Sequence, residues 1–230
     1  MAQRLISTGI IRKSDVMLQK HTISCGVDWF NMWCGIAEYN NKLFCAPHNA
    51  SSVLVIDAEL DEVRTISWSM DRDYKWKGIA RYGKKLYCCP DDASVVLVIN
   101  GETEIINTIS LNIDGIYKWS GIVRYGSKLY CAPHNASSIL VIDGETDKTH
   151  TIPCGVDGED KWEGIAAYKK KLFCCPHNAS SILVIDGETE EIRTIPFGID
   201  GSFKWIGIVC FGNKLFCAPC DASTILVING

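Results

Sequence analysis

The position that follows a recurring proline holds His48, Asp91, His134, His177 and Cys220, all of them residue types that ligate metals, at an even step of 43 residues. Imidazole, thiolate and carboxylate are the donors that zinc and its neighbours in the first transition row prefer. The next position holds Asn49, Asp92, Asn135, Asn178 and Asp221. A second set of acids, Asp28, Asp71, Asp114, Asp157 and Asp200, stands five residues before Trp33, Trp76, Trp119, Trp162 and Trp205. Carboxylates and amides bind hydroxyl groups and an indole face stacks on the apolar side of a sugar ring, so these sets are candidates for a repeated small-ligand site.

The constant step also says which elements must hold these residues. A period of 43 residues with strand-like segments and turn signals predicts a β-propeller, because a single blade cannot bury both faces until neighbours stack on it. Four strands fit each period. The first follows the Trp, as in Gly121-Ile122-Val123-Arg124-Tyr125, and the second is the Lys-Leu-Tyr/Phe-Cys run closed by Pro, which cannot donate to a ladder and so belongs at a strand end. The third, Ile/Val-Leu-Val-Ile, has the continuous apolar character of a strand buried on both faces. Asn100-Gly101, Asp143-Gly144 and Asp186-Gly187 then predict type I′ hairpin turns into a fourth strand that carries a Thr-Ile pair. The last copy has three strands, and Val16 to Ile23 matches the fourth-strand pattern. The predicted fold is therefore all-β, a five-bladed β-propeller of four-stranded antiparallel blades with the N-terminal strand completing the last blade. Residues 15–230 form the one domain in this reading and residues 1–14 an extension.

The runs Lys128-Leu129-Tyr130-Cys131, Ser138 to Asp143 and Thr151-Ile152-Pro153 resemble the YVTN-type β-propeller repeat, over residues 15–230. Blade number and Trp content are also similar to tachylectin-like sugar-binding propellers. The resemblance implies the architecture. It carries over no active-site residue, because the Cys and the Pro-His-Asn run depart from the bacterial motif.

Propeller geometry then sorts the candidates. The loop after the second strand lies one strand spacing, roughly 4.8 Å, outside the channel-lining strand. Five residues there make too wide a ring to share one ion at about 2.0–2.1 Å. No metal and no cofactor are expected, and the Asn/Asp position reads as an Asx-type cap on local amides. Loops on one face bring the repeated Asp, Asn or Asp, and Trp to one rim, where they would form sugar-type subsites. Lactonase-like and lyase-like propellers gather unlike polar residues around the axis; the channel-side set Cys34, Lys77, Ser120, Glu163 and Ile206 shows no acid–base constellation. The expected role is a non-enzymatic binding or scaffold propeller, with a protein-interaction ring first, multivalent carbohydrate binding at the rim second, and a propeller hydrolase or lyase third.

Composition narrows the partners. A net charge of −4 with dispersed Lys and Arg over 230 residues leaves no nucleic-acid footprint. No run reaches the roughly 18 apolar residues of a membrane span, and the first residues lack the apolar core of a secretory signal. A cytoplasmic monomer with an unidentified protein or small polar ligand as partner is the expectation. Of the twelve cysteines, Cys45, Cys88, Cys131, Cys174 and Cys217 repeat at one strand position and read as small buried hydrophobes, while Cys220 reads as an accessible thiol.

Overall fold

A computed structural model describes residues 22–26, 30–68, 70 and 73–229. Asp28, Asp71, residues 1–14 and the expected closing strand up to residue 21 lie outside them; Thr22 and Ile23 are not in strand.

The described residues form five antiparallel sheets. The first is β1 (Trp33–Tyr39), β2 (Lys42–Pro47), β3 (Ser52–Asp57) and β4 (Glu62–Ser67). The second is β5 (Trp76–Tyr82), β6 (Lys85–Pro90), β7 (Val95–Asn100) and β8 (Ile106–Ser110). The third is β9 (Trp119–Tyr125), β10 (Lys128–Pro133), β11 (Ser138–Asp143) and β12 (Thr149–Pro153). The fourth is β13 (Trp162–Tyr168), β14 (Lys171–Pro176), β15 (Ser181–Asp186) and β16 (Ile192–Pro196). The fifth has β17 (Trp205–Phe211), β18 (Lys214–Pro219) and β19 (Leu226–Asn229). Each runs in sequence order from the inside outward, as a five-bladed β-propeller requires.

Alternation along the strands divides each blade into two apolar faces. Tyr39, Phe44, Val53 and Val55 of the first blade pack on Trp76, Ile79, Leu86 and Leu97 of the second, and three more clusters of the same kind join the second blade to the third, the third to the fourth and the fourth to the fifth. At the remaining junction the described residues do not pack in this way. Phe211 and Val227, the counterparts of the buried Tyr39 and Val55, are 79% and 41% exposed, and Ile36 on the facing side of the first blade is 56% exposed.

Two glycine positions follow from close approach. At Gly78 and Gly121 a Cβ would stand 2.9 Å and 2.8 Å from the carbonyl oxygens of Ser120 and Glu163 in the next blade. Pairing of the innermost strands slips beside these glycines, between Trp76 and Ile79 and between Trp119 and Ile122. Bulges of this kind re-aim a side chain, here the residue after each Trp.

The hairpins differ from the predicted type I′ turns. Asn100, Asp143 and Asp186 end their strands with Oδ1 accepting the amides of the residues two and three further on, and positive φ falls later, at Glu104, Asp147 and Glu190. The glycines after them serve a different need, because a Cβ on Gly101 or Gly144 would meet the ring of Tyr39 or Tyr82 at 2.6 Å or 2.5 Å.

Candidate functional site

The side chains that break the repeat meet at the axis. A pocket of about 490 Å³ is lined by residues of all five blades: Cys34, Lys77, Glu163 and Ile206 from the position after Trp, His48, Asp91, His134 and His177 from the position after Pro, and Asn31, Tyr74, Tyr117, Asp160 and Phe203 from the turn into each blade. Backbone bonds fix the two loops against each other. The amide of Lys161 donates to His134 O at 3.0 Å and that of Lys204 to His177 O at 3.0 Å, each across a blade junction. The turn residues all have positive φ, between 47° and 52°. The amides of Tyr74, Tyr117, Asp160 and Phe203 are held by Asn49, Asp92, Asn135 and Asn178 of the preceding blade at 2.7–2.9 Å. That is the capping role expected of the Asn/Asp position.

Glu163 is the centre of the polar wall. One of its oxygens pairs with Lys77 Nζ from two blades back, and the other lies 3.0 Å from His134 Nε2. Both the glutamate and the histidine side chain are only 8% exposed. Burial alone pushes the Glu163 carboxyl up, but His134 and Lys77 outweigh it and hold the pKa down at about 2. Burial works against the charge on Lys77 too, yet the Glu163 carboxylate more than compensates and keeps it above the ordinary lysine value. His134 Nδ1 lies 3.3 Å from Asp160 Oδ1, and the His177 ring stands 5.9 Å from the His134 ring and 4.9 Å from that of Phe203. Burial lowers the pKa of His177 and raises that of Cys34. On the other side of the pocket His48 Nε2 is 3.4 Å from Asp91 Oδ2 and its ring abuts Tyr74.

The structure corrects three expectations from the sequence. Trp76, Trp119, Trp162 and Trp205 are wholly buried and offer no face to a sugar, while Trp33 is half-buried; all five indole N–H groups donate to backbone carbonyls at 2.7–2.9 Å. The exposed Asp114, Asp157 and Asp200 lie outside the axial pocket, as do Cys220 and Asp221; Asp114 lines a separate pocket of about 220 Å³ with Asp92. The sequence reading places the five post-proline residues in a ring too wide to share one ion; two neighbours among them do come together with a glutamate, one ligand atom each of His134, Glu163 and His177 lying within 4.8 Å of the others. The channel-side residues likewise do form a constellation. The signal was in the sequence, in unlike residues at a position flanked by an unvarying Trp and Gly, but the partners of each lie one or two blades away.

No protein-family model and no curated protein sequence matches the chain. Solved structures do. Virginiamycin B lyase from Staphylococcus aureus is 16% identical with a TM-score of 0.67, over 86% of this chain and 70% of that one. A streptogramin B lyase structure gives 13% and 0.68, covering 86% and 69%. A chain of a nidogen/laminin complex gives 12% and 0.64, covering 86% and 75%. These are β-propeller proteins, and likeness at this level of identity establishes the fold.

Proposed function

We propose that this propeller is a binding module whose axial pocket takes a small polar ligand. One observation carries the reading. The five copies keep Trp, Gly, Lys and Pro, yet the three positions facing the axis hold Cys/Lys/Ser/Glu/Ile, His/Asp/His/His/Cys and Asn/Tyr/Tyr/Asp/Phe in turn. Packing alone would let these positions repeat as the others do; a single asymmetric ligand needs them unlike. Asp91, Asp160 and Glu163 outnumber Lys77 along the wall, which favours a cationic or amine-bearing ligand, and the rings of Tyr74, Tyr117 and Phe203 supply apolar and cation–π surface.

A panel of amines, amino acids, sugars and carboxylates tested by thermal shift addresses this reading. The expected result is that an amine-bearing compound raises the melting temperature of the wild type and fails to do so in Glu163→Gln and Asp91→Asn. Equal shifts in the variants, or no shift with any compound, would overturn it. The protein-interaction ring stands as a second reading on the exposed apolar face of Phe211, Val209 and Val227.

A further inference from the structure

We propose that His134, Glu163 and His177 form a binding site for one divalent transition-metal ion, with Zn2+ the best match, inside the axial pocket. The inference rests on the reading of that pocket as a ligand site and names part of what it holds.

Three observations point to an ion. First, the three side chains come from two adjacent blades and place one nitrogen, one oxygen and one nitrogen within 4.8 Å of each other. Ligand atoms around a tetrahedral zinc stand roughly 3.4 Å apart, so the set closes with ring movements of roughly 1 Å. Second, both nitrogens of His134 and Nδ1 of His177 are buried without a hydrogen-bond partner. The approaches of His134 to Glu163 at 3.0 Å and to Asp160 at 3.3 Å lie off the ring's N–H directions and make contacts but not hydrogen bonds. Buried polar atoms left in this way are costly, and an ion would satisfy one nitrogen of each ring. Third, the surroundings match those of a metal centre. Asp160 stands 3.3 Å from His134 on the Nδ1 side, where a small turn of the ring would let Nδ1–H donate to it, and Lys77 holds one Glu163 oxygen while the other faces His134. Two histidines, one carboxylate and an open side toward the pocket are the donor set of zinc sites that keep a position for water or ligand.

Zn2+ is titrated calorimetrically into protein stripped with EDTA, and Co2+ is followed by its visible spectrum. One equivalent is expected to bind, with the Co2+ spectrum showing low-coordinate nitrogen and oxygen ligation. Glu163→Gln and His177→Gln should each weaken binding by at least about tenfold, whereas His150→Ala on the outer surface should leave it unchanged. Absence of stoichiometric binding in the wild type, or binding that survives both substitutions, overturns the proposal. The thermal-shift panel repeated in EDTA separates this result from the broader reading: a small ligand that still binds there while Zn2+ does not leaves the pocket's function standing and removes the metal.

Discussion

At the scale of single residues the protein is organised around a buried charge. Glu163 keeps its carboxylate because His134 and Lys77 converge on it, and a folded-state pKa of about 2 against an ordinary 4.5 ties the acid to stability. A depressed carboxylate stabilises the fold above its unfolded pKa, and that stabilisation is lost as protons fill the folded site. As the pH falls from about 4.5 toward about 2 the wild type should lose stability through this group. Glu163→Gln should be less stable at neutral pH and shallower in this window, measured by urea denaturation across pH. An identical acid slope in both proteins would show that Glu163 is not paired as described.

At the scale of the element, the same sequence position has different consequences in different blades. Gly121 of β9 lies against the Glu163 carbonyl, so Gly121→Ala must push β13 outward, at a cost of about 1–3 kcal/mol, the usual range for overpacking. Gly207 of β17 is the repeat's counterpart, yet among the described residues a Cβ there would meet only the Cβ of Ala218, at 4.0 Å. Gly207→Ala should therefore be neutral or stabilising by up to about 1 kcal/mol, since alanine restricts the unfolded chain. Chemical denaturation of the two variants tests the pair. Equal destabilisation would mean that β17 has a neighbour as close as the one β9 has.

For the whole molecule, stability is spread unevenly around the ring. The second, third and fourth blades are packed on both faces, while among the described residues the first and fifth each lack one packed face. In a repeat architecture a unit's stability comes largely from its interfaces. Hydrogen exchange should therefore be slowest in β10 and β11 and fastest in β17, β18 and β19, with local opening of the fifth sheet well below the global unfolding free energy. Uniform protection across all five sheets would show a fifth interface as tight as the others.

The even step of 43 residues was enough to read the blades, their strands, the caps made by Asn49, Asp92, Asn135 and Asn178, and the burial of the repeated cysteines, because each depends on contacts within one repeat or between identical neighbours. Self-comparison could not assign the tryptophans, since a residue kept five times satisfies packing and binding alike; only their burial and their bonds to strand carbonyls decided it. The hairpin glycines were misread for a related reason: Asn-Gly is a turn signal locally, while the ring of a tyrosine in the preceding blade, which excludes a Cβ, is far away in sequence. The axial site was the least legible. Lys77, His134, Glu163 and His177 come from three blades, and a bulge turns one residue of each inner strand toward the axis. Residue types along a chain carry no record of which copies converge; closing blades around a common axis brings together in three dimensions side chains that the repeat keeps dozens of residues apart.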